Sequence, residues 1–439
     1  MERPLFRVSD RGIDRSGKIV VTEKLQDLID ETAKAGGVLL LEKGTYLTAS
    51  LFLKSNMEFR FEEGAVLLGT TEESLYPVMP TRVAGIEMDW YVGILNCNNQ
   101  HDVTISGPGT IDGQGEYWWR KYWGDDMKGG MRKDYDARGL RWACDYDCMR
   151  VRNVVVMESE NVTLKEFTSS HSGFWNVHVC YSSQVYIDSV RIMGCGAHSP
   201  STDGIDIDSC HHVLVEHCVT DCNDDSICIK SGRDADGVAV GRPCHDITVR
   251  DCEILAGFGV TIGSEVSGGV YDILLKDIHY HGTDCGFRIK SSLARRGYIK
   301  DVTVDGLDMV NVKYPFHLFL NWNPAYSYCQ LPKGYEGEIP KHWEKLLRQL
   351  PKDMPKTQVS NLMIQNVVSR NEEGYDGISR AFHIEGFEDM PIGGLTFKNV
   401  SISCKEFGVI NCTQGITFED VKVSVMGMRD EKNDEYDNR

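Results

Sequence analysis

Val162-Thr163-Leu164-Lys165-Glu166-Phe167 is followed by Val185-Tyr186-Ile187-Asp188-Ser189-Val190 and by Val213-Leu214-Val215-Glu216-His217-Cys218. Each stretch has two apolar residues two apart and a third apolar residue three further on. The pattern returns at Ile247, Ile273, Val302, Leu362, Leu395 and Ile416, giving nine instances whose third members include Cys252, Ile278, Leu307, Val367, Val400 and Val421. Val103 and Ile105 fit an earlier turn. Most starts lie about 20–35 residues apart, the period of a solenoid. Residues two apart share a face of a strand, so the first two members point inward together. One turn cannot bury that face alone, whereas stacked turns form a continuous core. The repeat therefore predicts an all-β fold, a parallel β-helix, over residues 1–429 as a single domain.

The flanks follow the same reading. Residues of about 1–50 form an N-terminal cap containing a short helix over Thr22–Ala35. Thr22 is its expected cap, Leu25, Leu28, Ile29 and Ala33 line one face, and Gly36-Gly37 ends it. Two insertions interrupt the coil, at about 116–148 and 321–357. The first carries Tyr117, Trp118, Trp119, Tyr122, Trp123 and Trp142; the second carries Trp322, Tyr326, Tyr328 and an expected helix near Trp343 to Leu350. Such aromatics either stack on sugar rings or pack the loops onto the coil. The charged run Asp430 to Arg439 is expected to be disordered.

The net charge of −18 and the lack of a dominant basic patch argue against a nucleic-acid partner. An acidic substrate requires a local cluster of Arg and Lys against that overall field. No apolar run reaches the length of a membrane span, so no membrane partner is expected. The first residues lack the apolar stretch of a signal peptide, which leaves a cytoplasmic location or a removed leader open. The 15 cysteines are odd in number and contain no CxxC pair. They read as buried small hydrophobes rather than a disulfide framework or zinc site. Asp234-Ala235-Asp236-Gly237 begins like a calcium loop but lacks the Glu at the twelfth position, so it reads as a turn. The histidines form no metal motif, and no cofactor or metal is expected.

Four segments stand about one repeat apart: Ser201-Thr202-Asp203-Gly204, Asn223-Asp224-Asp225, Gly257-Phe258-Gly259 and Arg288-Ile289-Lys290. Matching points on adjacent turns stack about 4.8 Å apart. Crowded carboxylates do not all ionise easily, so at least one is expected to keep its proton. A protonated acid beside ionised bases is what glycoside hydrolysis needs. Arg288 and Lys290 alternate on one strand and share a face, ready to hold a substrate carboxylate. Taken singly, an Asp in such a coil is more often a turn residue. The joint order and spacing favour the site.

These residues resemble the polygalacturonase family of glycoside hydrolases, family 28, whose signatures are Asn-Thr-Asp, Gly-Asp-Asp, Gly-His-Gly and Arg-Ile-Lys. Gly107-Pro108-Gly109-Thr110-Ile111-Asp112-Gly113, Phe174-Trp175-Asn176 and Gly263-Ser264-Glu265 also match. The resemblance implies a right-handed β-helix and an inverting pectin hydrolase, with acid and base roughly 6.5–9.5 Å apart. It implies Asp224 as general acid, Asp203 and Asp225 as the groups that position and deprotonate water, and Arg288 and Lys290 as the clamp for galacturonate. It also implies a periplasmic or secreted, monomeric enzyme with a pectic oligo- or polysaccharide as partner. Three positions depart from the family: Ser201 replaces Asn, Asn223 replaces Gly and Phe258 replaces His. Ser201 and Phe258 are still expected to contact substrate. Loss of the His points either to a non-standard substrate, with rhamnogalacturonan favoured, or to another residue that supplies the lost contact. The aromatic insertions favour a closed cleft and exo action releasing galacturonate, with endo-polygalacturonase as the alternative. A pectate lyase and a non-catalytic glycan-binding β-helix are remoter readings.

Overall fold

The computed structural model describes residues 3–426; the run expected to be disordered, Asp430 to Arg439, lies outside the described residues. The chain groups into two compact units. One holds the residues up to Val83, Glu87–Asp134 and Asp145–Asp224; the other holds Ala84–Ile86, Tyr135–Cys144 and the chain from Asp225 onward. Each is built of turns of a right-handed parallel β-helix.

The repeated triplets form the core ladders. In the first unit Val162, Val185 and Val213 are register partners, as are Leu164, Ile187 and Val215. In the second, Ile273, Val302, Leu362 and Leu395 stack in one column and Ile278, Leu307, Val367, Val400 and Val421 in another. The first eight triplets are buried throughout. The last is not: Phe418 is 46% exposed.

The offset of the third member has a backbone cause. Five residues along a straight strand, a side chain would point to the opposite face. Here the residue before each third member is left-handed: Glu166, Ser189, His217, Asp251, Asp277, Gly306, Asn366, Asn399 and Asp420 all have φ between 50° and 80°. One such residue turns the corner and returns the next side chain to the core. A matching corner precedes the first member at Asn161, Gln184, His212, Asp246, Asp272, Asp301, Asn361 and Gly394, with φ of 53° to 59°. Asn, Asp and Gly tolerate this conformation better than other residues, which explains their recurrence.

A second sheet carries the face used below. In the first unit Leu51–Phe52, Leu95–Asn98, Val154–Met157, Val177–Cys180 and Ile205–Asp208 lie side by side in parallel. In the second the order is Ile227–Lys230, Val260–Ile262, Cys285–Lys290, Tyr314–Phe319, Arg380–Glu385 and Glu406–Asn411. Alternation puts Phe287 and Ile289 into the core and Arg288 and Lys290 on the other face.

The N-terminal helix spans Thr22–Lys34, buries Leu25, Leu28 and Ile29, and is followed by Gly36 at φ 62°. Thr22 does not cap it. Its hydroxyl instead accepts from Ala49 N and pairs with Thr48, tying the helix to the coil. The Asp234 segment is not a turn but the start of a helix, Asp234–Val240. None of the 15 cysteines, all among the described residues, forms a disulfide, and 13 are buried, including Cys218 and Cys252 at the third core position. In the insertions packing dominates. Trp118, Trp119 and Tyr122 are buried in the first unit. In the second, Trp142 meets Trp343 edge-on at 5.1 Å and donates to Gln330 O at 3.0 Å. The second insertion's helix is Lys341–Leu347. Trp322, half-buried, is different: its ring lies 4.5 Å from Lys290 Nζ.

Candidate active site

In the first unit Asp203 sits just before the strand Ile205–Asp208. Its backbone is pinned from the preceding turn, because Asn176 donates to Asp203 O from both its N–H at 2.9 Å and its Nδ2 at 3.1 Å. That contact accounts for Asn176 in the Phe174-Trp175-Asn176 phrase. Asp203 is only 3% exposed, while Asp224 is half-buried. A carboxylate oxygen of Asp203 lies within 4.8 Å of one of Asp224. Asn223 Nδ2 donates to Ser199 O at 2.9 Å, which ties the second segment to the loop carrying the first.

Ser201 is left-handed at φ 51°, a conformation Asn adopts more readily than Ser, and this explains why Asn suits the position. Its hydroxyl donates to Asp145 Oδ1 at 3.0 Å. Arg150, fully buried, donates to Pro200 O and pairs with Asp145 at 3.5 Å. Its guanidinium lies 4.9 Å from the Tyr122 ring and 4.7 Å from the Phe174 ring. Arg150 and Asp145 thus hold the loop that presents Asp203. Sequence reasoning missed both, because neither lies in a repeat.

The second unit brings together Asp225, Arg288, Lys290 and Phe258. Asp225 accepts from Lys290 Nζ at 2.5 Å, Thr261 Oγ1 at 2.8 Å, Arg288 Nη1 at 3.4 Å and Cys228 Sγ at 3.5 Å. The register makes this possible, since Thr261 is the partner of both Cys228 and Arg288 on adjacent strands. Burial alone would raise the Asp225 carboxyl. Lys290, Arg288 and Lys230 overcome it and hold the group well below the usual carboxylate range. Asp225 is therefore the ionised member of the set and not the one that keeps a proton.

Phe258 does not open into an empty space left by the family His. Its ring lies 4.4 Å from the Arg288 guanidinium, with Trp322 on the same cation at 5.8 Å. Arg288 and Lys290 are 4% and 3% exposed, so both cations are buried and already paired. Glu265 completes the surroundings. It accepts from Ser264 Oγ at 2.8 Å and meets Lys230 and Arg295 at 3.5 and 3.4 Å. Burial would raise its carboxyl, but Lys230, Arg295 and Arg233 bring it down to about 2. Arg295 also pairs with Asp234 at 2.6 Å, which gives the false calcium loop its actual use. Within this unit five buried cations (Lys230, Arg233, Arg288, Lys290 and Arg295) face three buried carboxylates (Asp225, Asp234 and Glu265). This is a local positive cluster of the kind an acidic substrate requires in so acidic a chain.

The model of glycosyl hydrolases family 28 matches residues 87–330, more than half of the chain. A probable polygalacturonase of Vitis vinifera is 30% identical over 398 residues, covering 88% of this chain and 72% of its own length. An endo-polygalacturonase of Pectobacterium carotovorum subsp. carotovorum is 25% identical over 314 residues, covering 67% and 70%. Among solved structures, a hyperthermoactive exopolygalacturonase of Thermotoga maritima superposes with a TM-score of 0.78 at 24% identity, over 96% of this chain and 93% of its own. A family 28 exopolygalacturonase of Yersinia enterocolitica gives 0.67 at 20% identity, over 98% and 79%. With a family model over more than half of its length and a relative 30% identical over most of it, the chain belongs to glycosyl hydrolases family 28 and is a glycoside hydrolase.

Proposed function

We propose that this chain hydrolyses a pectic polysaccharide with inversion, acting as a monomer from a chain end of rhamnogalacturonan or homogalacturonan and releasing galacturonate. The observation that carries the reading is the cluster of Asp225 with Lys290 and Arg288, which keeps one carboxylate ionised among fixed cations. In this reading Asp224 is the general acid. It is more exposed than Asp203 or Asp225, as a group that must reach the leaving oxygen should be. Asp203 and Asp225 orient and deprotonate the attacking water on the opposite side of the sugar. Arg288 and Lys290 share their charge between Asp225 and the carboxylate of a bound galacturonate. Phe258 and Trp322 exclude water around them, which strengthens each of these interactions.

A polymeric substrate favours action in the periplasm or outside the cell. No helix among the described residues is long and apolar enough to cross a membrane. Exo action draws support from the exopolygalacturonases among the structural relatives, and endo action from the bacterial endo-polygalacturonase. Early products decide between them: single galacturonate units mean exo, a ladder of oligomers means endo. The reading as a whole is tested on polygalacturonic acid and rhamnogalacturonan oligosaccharides, with the anomer of the first product followed by NMR. Inversion is expected; an unsaturated product, or no product from any of them, refutes it.

A further inference from the structure

Beyond the Arg288 rung, the same outer face of the sheet continues over two more strands. Arg288 is in register with His317, and His317 with His383; Lys290 is in register with Phe319, and Phe319 with Glu385. The two columns therefore change character at each step. The first rung carries two cations. The second carries an imidazole and a phenyl ring. The third carries an imidazole and a carboxylate.

The His317 imidazole has its Nδ1 buried without a hydrogen-bond partner, and the residue is only 8% exposed. The His383 ring meets it edge-on at 4.6 Å and stacks on Phe319 at 5.1 Å. His383 Nε2 and Glu385 Oε1 are 2.8 Å apart. Phe319 and Tyr314 are half-buried, so ring surface remains open beside the buried imidazoles. Burial, then Arg288 and His383, push the His317 imidazole well below its ordinary value, and burial lowers His383 against the pull of Glu385. The other cations near this face are taken: Lys313 pairs with Asp284 at 3.6 Å and Arg380 with Glu406 at 2.7 Å. With these cations paired, and with Glu385 beside an open aromatic surface, the face suits a hydroxylated ring without charge. Neighbouring rungs are about 4.8 Å apart, close to the length of one sugar ring in a chain.

We propose that His317, Phe319, His383 and Glu385 form a subsite for an uncharged sugar ring next to the galacturonate held by Arg288 and Lys290. The subsite rests on the clamp role given to those two cations above. It selects a chain in which the acidic sugar is neighboured by a methyl-esterified galacturonate or a neutral deoxyhexose, over an unbroken run of free galacturonates.

The test uses three oligosaccharides of equal length: free galacturonate throughout, the same chain with one terminal residue methyl-esterified, and galacturonate alternating with a neutral deoxyhexose. Binding to the Asp224→Asn protein is measured by calorimetry, and hydrolysis by the native enzyme. At least one uncharged-neighbour ligand is expected to bind roughly tenfold tighter than the free oligomer, the order of one like-charge contact at a partly exposed site. Which of the two binds better tells the ester from the deoxyhexose. Glu385→Lys should abolish or reverse the preference, and Glu385→Gln, the milder change, should reduce it severalfold. Equal binding of all three, preference for the free oligomer, or binding of none overturns the subsite. If the expected order of binding holds while nothing is hydrolysed, the hydrolytic reading fails and the subsite stands.

Discussion

Lys290→Met removes the closest cation from Asp225 while keeping the length of the side chain. The pair lies at 2.5 Å, with the side chains 4% and 1% exposed. Breaking a buried pair from one side costs about 3–5 kcal/mol. The lower end, about 3 kcal/mol, is expected because Arg288 Nη1 at 3.4 Å and Thr261 Oγ1 at 2.8 Å remain on the carboxylate. The same change lifts the Asp225 carboxyl by about one to three pH units. The sign follows from its direction. A group held below its unfolded value, near 3.9 for Asp, stabilises the fold above that value and loses this contribution as pH falls through the folded one. Both proteins should begin to lose the contribution as pH falls below about 4; the native protein has more to lose and goes on losing it down to its folded value, the variant less and over a narrower range. Two measurements check this: denaturant midpoints at neutral and acid pH, and the acid limb of kcat/KM. A weaker clamp alone would raise KM and leave the limb in place. An unmoved acid limb together with an unchanged midpoint at neutral pH refutes the account of Asp225 as a carboxylate held ionised by Lys290.

Other expectations follow from the same contacts. Asp224→Asn should lower hydrolysis by about 10²–10⁴-fold, with oligosaccharide binding by calorimetry largely intact. Phe258→His restores the family residue but removes the ring at 4.4 Å from Arg288. Stability should fall by about 0.5–2 kcal/mol, and relative kcat/KM should shift toward polygalacturonic acid. Asn366→Val puts a β-branched side chain into a corner at φ 56°. A loss of about 1–2 kcal/mol in denaturant unfolding is expected; Asn366→Gly keeps the corner and loses only the exposed bonds to Asp305 and Asn399, so it should cost less. Ser201→Ala removes the hydrogen bond to Asp145 and should cost about 1 kcal/mol, whereas Ser201→Asn suits the left-handed backbone and should not.

The core was legible because one backbone device generates it. A left-handed residue between the second and third members fixes the five-residue offset, so Val162, Leu164 and Phe167 announce a coil turn without any knowledge of their partners. The motif residues were legible for the same reason, since they recur at coil spacing. What surrounds them was not. Whether Thr22 caps a helix or ties it to Thr48 depends on a contact 26 residues away. Asp234 looks like a local turn residue, yet Arg295, 61 residues further along, takes its carboxylate. Trp142 and Trp322 are alike in sequence context, but one is walled in by Trp343 and the other covers Lys290. Insertions follow no period, so the ring that faces the cations is decided by tertiary packing alone.

The departure at Phe258 gains a physical meaning from Arg288 and Lys290. Two buried cations already paired with Asp225 would be a weak clamp if substrate had to strip water from them. Most of that desolvation has taken place on folding, since both are almost fully covered, with Phe258 against Arg288 and Trp322 near both. In the reading proposed above, an entering carboxylate then meets fixed, dry charges. A His at position 258 would add a group that titrates across the mildly acid range. Phe adds none, and the one imidazole in register with Arg288, His317, is held neutral by burial and by Arg288 itself. Around the two cations, Asp225 and Glu265 are in turn held well into the acid range by the cations beside them. In the reading proposed above, Phe at position 258 sets no titratable group against Arg288 where a His would supply one.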